Sequence, residues 1–210
     1  TPSAGLPQKQ PQCITDVTTE LYDCGNWGVS ASWNVPSDAV SGVYIALLRR
    51  SDNGDASHIT FVVRDDSSHS DITFQTSDPT WQAYNTYGGS DFYQGAANGR
   101  AYKISYNRPI LTRSGTGGRD FFFSNEYPAV RFLERNGYDV SYVSGIDSAR
   151  YGGELLNHKV FMSVGHDEYW SGAQRANVEA ARDAGVNLQF LSGNEAYWRV
   201  RWEPSADSSH

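Results

Sequence analysis

Two residues with the chemistry of a reactive site follow directly after an apolar run. His166 and Glu168 come after residues 159–164, which read KVFMSV. If the backbone stays extended, both side chains project to the same side, because side chains alternate with a period of two. An imidazole and a carboxylate placed in this way can act as metal ligand and acid–base partner. The pair can equally be an ordinary His–Glu hydrogen bond at a helix N-terminus, and the motif alone leaves both interpretations open.

A second candidate site follows the next apolar run, residues 186–191. Asn194, Glu195 and Trp198 lie in the segment SGNEAYWR directly after it. The Gly–Asn pair at its start permits a sharp turn, Trp198 could form a pocket wall, and Glu195 is a possible acid–base group. Glu195 can also be a carboxylate that stabilises a helix N-terminus.

The elements that must position these residues alternate between strands and helices. The period of the apolar residues changes near Gly118, and Gly137 is a predicted helix stop. The alternation predicts an α/β fold with a parallel, doubly wound sheet of the glutamine-amidotransferase or flavodoxin-like kind, which binds ligands at the carboxyl ends of its strands. The predicted strands are 72–76, 138–143, 159–164 and 186–191, and the predicted helices are 126–136 with Ser124 as cap, 147–157 and 171–185 with a Ser171–Gln174 capping box.

The residues before the predicted α/β domain (72–210) have a different character. Residues 1–13 form a Pro- and Gln-rich extended lead, and residues 14–66 predict a small antiparallel, sandwich-like β domain. Its predicted strands are 29–34, 41–48 and 58–64, with a hairpin turn at Asn53–Gly54. Residues 77–100 predict a long aromatic-rich loop, which is usually functional in a compact domain.

Cys13 and Cys24 are the two cysteines of the chain. Their even count, close spacing and turn-rich surroundings favour a disulfide, which would indicate a secreted protein. Two buried free thiols are the alternative interpretation, and a cytoplasmic location stays open with it.

Composition excludes two classes of partner. The net charge is −7 and no basic run occurs, so no phosphate-neutralising patch for nucleic acid is present. No apolar stretch approaches the ~20 residues that a membrane span needs. The aromatic content of 6 Trp, 13 Tyr and 9 Phe suits sugar faces and polar small molecules as well as a β-rich core. An aromatic platform for carbohydrate is therefore one interpretation, built from Trp81, Tyr84, Tyr87, Tyr93, Trp170 and Trp198.

Five motifs over residues 72–202 together resemble the catalytic β-subunit of the N,N-dimethylformamidase family. They appear in the order TWQAYN, GGSDFY, YDVSYVSG, LLNHKVFMSVGHDEYWS and LSGNEAYWR. The resemblance implies an iron centre held by two tyrosines and one glutamate. Carried over motif by motif, these residues are Tyr84, Tyr93 and Glu168, with Tyr87 as the alternative to Tyr93, while His166 would move protons to a leaving amine.

Three anionic oxygen donors favour a hard cation such as Fe(III) over Zn(II), which prefers nitrogen and sulfur ligands. The resemblance therefore predicts an iron-dependent hydrolase of an amide C–N bond, with a secreted binding module for carbohydrate or another small molecule as the alternative. It also predicts a domain that is truncated at its C-terminus, so that the missing remainder or a second copy would be its partner. The predicted substrate-binding residues are Trp81, Asn85, Tyr87, Trp170, Asn194, Glu195 and Trp198.

Overall fold

The computed structural model describes residues 8–112 and 120–208 as a mixed α/β structure. The change of period predicted near Gly118 and the first seven residues of the extended lead lie outside these ranges. The strands are β1 (Ile14–Asp16), β2 (Leu21–Asp23), β3 (Gly42–Arg49), β4 (Ala56–Val63), β5 (Ile72–Thr76), β6 (Val140–Ser144), β7 (Val160–His166), β8 (Tyr169–Ser171), β9 (Asn187–Gly193) and β10 (Trp198–Val200). The helices are α1 (Asp78–Ala83), α2 (Phe122–Asn125), α3 (Tyr127–Arg135), α4 (Gly145–Arg150) and α5 (Gly172–Asp183), with a 3-10 helix at Gly152–Asn157.

The centre of the fold is a four-stranded parallel sheet in the order β6-β5-β7-β9. Phe74 of β5 lies opposite Tyr142 on one side and Met162 on the other. The prediction that β7 and β9 are neighbouring parallel strands is confirmed. Strand β5 lies on the other side of β7, between β7 and β6. All five residues of β5 are buried, as expected for an interior strand of a parallel sheet that is covered on both faces. The broad α/β prediction is confirmed, while the flavodoxin-like subclass stays a prediction.

Alternating side chains of the sheet pack into two separate cores. Met162 and Tyr142 join the cluster that α2 and α3 cover, whereas Phe161 and Val143 join the cluster that α5 covers. Neighbouring residues of one strand face opposite sides, so the sheet has a helical layer on each face. The segments that follow β5, β7 and β9 meet at the carboxyl edge of the sheet, where Thr80 of α1 and the Ala196 amide contact the segment after β7.

The predicted signals at both ends of α5 and at the end of α3 are present, whereas the predicted cap at the start of α3 is not. The Ser171–Gln174 capping box is present at the start of α5, and Gly185 follows the helix with φ of +102°. Gly137 likewise follows α3 with φ of +72°, a left-handed conformation that favours glycine. Ser124, however, is no cap: it lies inside α2, and Glu126 precedes α3. The predicted loop 77–100 also contains a helix, α1, because its residues pack into the core.

The N-terminal third differs most from its prediction. The hairpin β3–β4 is present, with full register from Gly42↔Val63 to Arg49↔Ala56, and Gly54 has φ of +78° in its turn. No sandwich forms among the described residues, because β1–β2 and β3–β4 are separate two-stranded sheets. The predicted strand at 29–34 has no strand partner, and the Trp33 ring instead covers Tyr44 and Phe61 at centroid distances of 5.9 and 5.8 Å.

The β3–β4 hairpin packs on the α/β core. Val43 and Val62 contact the cluster around Phe74, and the Tyr142 amide donates to Ser41 Oγ at 2.9 Å. The segment 14–66 therefore contributes to the same core as the parallel sheet. None of the described helices has the length and apolar character to cross a membrane.

Candidate functional site

The carboxyl end of β7 positions Glu168 and His166. The two side chains lie on one side as predicted, with His166 Nε2 3.2 Å from Glu168 Oε2. Gly165, with φ of +88°, allows the strand end to approach α2, since a Cβ there would lie 2.5 Å from Asn125 Cβ. The Glu168 amide donates to Thr80 Oγ1 at 3.0 Å, which ties the segment to α1. Glu168 is thus a buried carboxylate held by the backbone on a rigid part of the fold.

Tyr84 reaches the same carboxylate from the end of α1. Every residue of α1 is buried and Tyr84 is its C-cap residue, so the packing of the helix fixes the start of the tyrosine side chain. The phenol oxygen lies 2.7 Å from Glu168 Oε2. The two residues are 84 positions apart in the sequence, and the parallel pairing of β5 with β7 brings them together.

Tyr93 completes a compact cluster of oxygen atoms. Its phenol oxygen lies 2.9 Å from Glu168 Oε1 and 2.9 Å from the phenol oxygen of Tyr84. The two tyrosine rings stack with centroids 4.6 Å apart. Tyr169 lies on the outer side, with its hydroxyl 2.5 Å from that of Tyr93. The predicted set of Tyr84, Tyr93 and Glu168 therefore converges at one point, and the alternative Tyr87 does not join it.

The electrostatics keep both tyrosines neutral in the absence of a cation. Burial, together with the hydrogen bonds to Tyr93 and Glu168, raises the pKa of Tyr84 well above its usual value. Burial also raises the pKa of Tyr93. A phenol next to a carboxylate loses its proton only if a cation compensates the added negative charge. Without a cation, the two tyrosines are therefore neutral phenols hydrogen-bonded around the Glu168 carboxylate.

Its donor chemistry suits a hard trivalent cation. Two phenol oxygens and a carboxylate are hard donors whose oxygens already lie within 2.9 Å of one another. Among the described residues no group of three or more His, Cys, Asp or Glu side chains could hold a metal ion. Any metal site here would depend on the tyrosines, which carry two of its three donors.

His166 is oriented by two further side chains. Its Nδ1 lies 3.0 Å from Asp120 Oδ1, and its Nε2 lies 3.2 Å from the side-chain nitrogen of Asn194. A carboxylate at Nδ1 holds a proton there, so Nε2 is the nitrogen that faces Glu168 and the open edge. Asn194 reaches this position from the end of β9 with φ of +56°. Asn194 is thus a predicted substrate-binding residue whose side chain contacts His166.

Sequence reasoning missed Asp120. The residue lies 46 positions before His166 in the sequence. Its only local signal is the apolar Phe121–Phe122 pair, whose rings are buried in the core and anchor the backbone beside the site.

Three of the predicted substrate-binding residues lie in the interior. Trp81 is 5% exposed and donates to Glu126 Oε1 at 2.8 Å, and Trp170 is 4% exposed in the core beneath α5. Asn85 is fully buried, and its amide nitrogen donates to the carbonyl of Pro109 at 2.9 Å. These side chains support the fold and offer no surface to a ligand. The aromatic platform loses two of its six members for the same reason.

The remaining predicted residues lie outside the cluster. Tyr87 is half-buried and packs edge-on against Tyr22 with a centroid distance of 5.9 Å. Glu195 accepts a hydrogen bond from Ser192 Oγ at 2.9 Å, which closes the turn after β9. Trp198 is half-exposed beside Tyr197, while its amide donates to the Glu168 carbonyl at 2.9 Å. Trp198 thus supports Glu168 through its backbone.

Three buried carboxyl groups lie behind the site and had no sequence signal. Burial raises the pKa of Asp78 to about 6, and that of Glu126 and Asp167 to about 7. Glu126 Oε1 accepts from the Ser77 amide at 3.0 Å as well as from Trp81. Asp167 Oδ2 accepts from Gln75 Nε2 at 2.8 Å. These contacts hold the start of α1 and the segment before Glu168 against the end of β5.

Comparison with known proteins identifies the family of this chain. The family described as N,N-dimethylformamidase beta subunit-like, C-terminal, matches residues 2–210. A curated relative, the N,N-dimethylformamidase beta subunit of Alcaligenes sp, is 29% identical over 125 residues, which is 57% of this chain. The match covers 16% of the length of that relative. Because the family match extends over nearly the whole chain, this chain belongs to the N,N-dimethylformamidase beta subunit-like, C-terminal, family.

Proposed function

We propose that this chain binds Fe(III) through Tyr84, Tyr93 and Glu168 and hydrolyses the C–N bond of a small amide. The convergence of two phenol oxygens and a carboxylate within 2.9 Å carries the proposal. The phenols stay neutral and hydrogen-bonded without a cation, whereas a trivalent cation would compensate the charge of the deprotonated oxygens and bind them. Support also comes from the family relationship and from a relative that is an amidase by name.

The chain's own residues supply proton transfer and orientation. When bound, Fe(III) supplies Lewis acidity toward an amide carbonyl and toward water. Asp120 holds the proton on Nδ1 of His166, so Nε2, which faces Glu168 and Asn194, is the nitrogen that would accept a proton from the attacking water. The same Nε2–H then protonates the leaving nitrogen, so the products are a carboxylic acid and an amine. Asn194 fixes the plane of the imidazole from the other side.

The proposed ligand is a compact polar amide, whose carbonyl a metal held by the cluster would polarise. The burial of Trp81 and Trp170 removes the extended aromatic surface that a sugar would need. The Cys13–Cys24 disulfide is present in the structure. We propose on that basis an oxidising, extracytoplasmic location. The relative is a subunit by name, so we also propose that the active form contains further polypeptide.

The test is iron content and visible absorption of protein purified without chelator. We expect Fe(III) bound to each chain, with the visible absorption band of an Fe(III)–tyrosinate pair. Tyr84→Phe should lose the band, whereas the matched control Tyr87→Phe, which removes a nearby phenol outside the cluster, should keep it. Dimethylamine release from N,N-dimethylformamide then measures activity. Protein that takes up no iron when Fe(III) is supplied, or sugar binding without metal, would contradict the proposal.

A further inference from the structure

The disulfide-closed hairpin β1–β2 contacts the segment that carries Tyr93. We call residues 87–102 the Tyr93 loop. The turn of the hairpin ends at Glu20, whose Oε2 accepts from Ser90 Oγ at 2.7 Å and from the Ala96 amide at 2.8 Å. Its Oε1 accepts from the Asn98 amide at 2.5 Å. One carboxylate therefore bonds the Tyr93 loop on both sides of Tyr93.

The loop and the hairpin are shaped for this close approach. A Cβ at Gly95 would lie 1.9 Å from Glu20 Oε2, and a Cβ at Gly88 would lie 2.4 Å from the Tyr22 ring. Glu20 itself has φ of +55°, a left-handed conformation that is uncommon for a residue other than glycine. Such a conformation persists only where surrounding contacts determine it. The contact between hairpin and loop is hence specific in its backbone geometry.

Further hydrogen bonds hold the hairpin and the loop together as one unit. The Tyr102 amide donates to the Thr19 carbonyl at 2.8 Å, and the Asn98 side chain donates to the Thr18 carbonyl at 3.0 Å. At the base of the hairpin the Cys13–Cys24 disulfide joins the two strands. The hairpin therefore presents Glu20 from a covalently closed support.

Tyr93 depends on this support more than Tyr84 does. Tyr93 is 46% exposed, and its amide donates to Asp91 Oδ1 at 2.7 Å within a tight turn between the Glu20 contacts. Its ring stacks on Tyr84, but no helix or strand of the described fold carries its backbone. The position of its phenol oxygen is consequently set by the loop backbone, which Glu20 holds through three hydrogen bonds.

We infer that Glu20 is a positioning residue that holds Tyr93 in the Tyr84–Glu168 cluster, with the disulfide-closed hairpin as its rigid base. The expected effect on metal binding rests on the proposed function, whereas the expected effect on the position of Tyr93 does not. Loss of an outer hydrogen-bonding partner typically weakens metal binding by about 10–100-fold. Glu20 touches neither metal nor substrate, so its effect would pass entirely through the position of Tyr93.

The experiment compares Glu20→Gln with Asp16→Asn. Glutamine keeps the shape of the side chain but replaces one carboxylate oxygen with an NH2 group. That group cannot accept the hydrogen bond that an amide or hydroxyl of the Tyr93 loop donates to the oxygen. Asp16 is a carboxylate on the same hairpin that accepts from the Thr18 amide at 2.9 Å and from Thr19 Oγ1 at 2.8 Å, both within the hairpin. The first readout is the nuclear Overhauser contact between the Tyr84 and Tyr93 rings in metal-free protein with ring-labelled tyrosine. The second is Fe(III) affinity by titration of the visible band.

We expect Glu20→Gln to weaken the ring contact and to lower Fe(III) affinity by about tenfold, while Asp16→Asn changes neither. If wild-type protein binds no iron, the proposed function fails, and the ring contact alone decides the positioning role. If Glu20→Gln does not fold, Ser90→Ala removes one of the three bonds and should show a smaller loss of the same contact. Faster exchange of the Ala96 and Asn98 amides in Glu20→Gln would show that their bonds to residue 20 are lost. If the ring contact and the Fe(III) affinity are unchanged in that protein, the inference is overturned.

Discussion

The two halves of the oxygen cluster are built in different ways. Glu168 and His166 lie at the end of a central parallel strand, and the Glu168 backbone is bonded to α1 and to β10. Tyr93 lies on an irregular loop that is held from outside by a small hairpin with few buried apolar residues. Tyr84 stands between them at the end of α1. The sheet half is fixed by the core, and the loop half is fixed by hydrogen bonds near the surface.

This difference predicts how each half of the oxygen cluster responds to damage. Packed interiors tolerate little displacement, so the carboxylate and the imidazole keep their positions as long as the domain is folded. Segments with few buried contacts open with small free energies. Damage to the sheet half should therefore remove the site outright, whereas damage to the loop half should weaken it by degrees.

The largest expected effect comes from the sheet half. Glu168→Gln removes the one carboxylate that both tyrosines contact, and Fe(III) affinity should fall by on the order of 100-fold or more, beyond the range for an outer partner. Glu195→Gln, a matched change outside the cluster, should leave the affinity unchanged. Metal titration of both variants checks this, and equal losses would show that the carboxylate of Glu168 has no special role.

The second effect separates proton transfer from metal binding within the sheet half. His166→Ala should lower amide hydrolysis by about 10²–10⁴-fold, the usual contribution of general acid–base catalysis. Asp120→Asn should lower it less, because the imidazole remains but loses the carboxylate that fixes its tautomer. Both variants should retain iron. Loss of iron from Asp120→Asn would contradict the assigned roles.

The third effect tests the loop half. Replacing Cys13 and Cys24 together with serine should lower the free energy of unfolding by about 3 kcal/mol in the chain-entropy account of disulfides. Amide exchange should increase in β1, β2 and the Tyr93 loop and stay slow in β5 and β7. Uniform loss of protection would show that the hairpin and the sheet are one cooperative unit. Thiol titration of denatured, unreduced wild-type protein should find no free thiol.

The smallest effect concerns the carboxyl groups behind the sheet half. The pKa of Glu126 is raised by burial from 4.5 to about 7, so the folded protein binds this proton more tightly than the unfolded chain. Its stabilising effect is full below pH 4.5 and is lost as pH rises through about 7. Glu126→Gln should therefore be more stable than wild type at pH 8, by on the order of 1–3 kcal/mol.

Urea unfolding at pH 5 and pH 8 measures this difference. The exposed Glu179→Gln on α5 is the control and should follow the wild-type pH dependence. Asp78 and Asp167 have raised pKa values as well, so Glu126→Gln removes part of the pH dependence. An identical pH dependence in wild type and Glu126→Gln would refute the buried, proton-binding state of Glu126.

The sequence predicted the sheet half better than the loop half for physical reasons. Strand β7 and the capping box of α5 are local signals, and parallel pairing then places Glu168 and Asn194 at one edge. Tyr84 and Tyr93 were assigned from family resemblance, since no periodicity brings an irregular loop to a sheet edge. Asp120 had no motif because its position depends on the burial of the two phenylalanines after it.

The N-terminal third shows the same limit. The hairpin at Asn53–Gly54 is a local turn signal and is present. The alternation at 29–34 predicted a strand, but a strand needs a partner, and the Trp33 ring covers the hairpin without one. The bonds from Glu20 to Ser90 and Asn98 join residues 70 and 78 positions apart, which no local pattern could reveal.

The most direct test of the central claim is anomalous X-ray scattering near the iron absorption edge from crystals of protein loaded with Fe(III). The account predicts one strong peak within bonding distance of the phenol oxygens of Tyr84 and Tyr93 and the carboxylate of Glu168. Crystals of Glu168→Gln treated in the same way should lack that peak. Loaded wild-type crystals with no peak at the cluster, or with iron bound only elsewhere on the chain, would contradict the account.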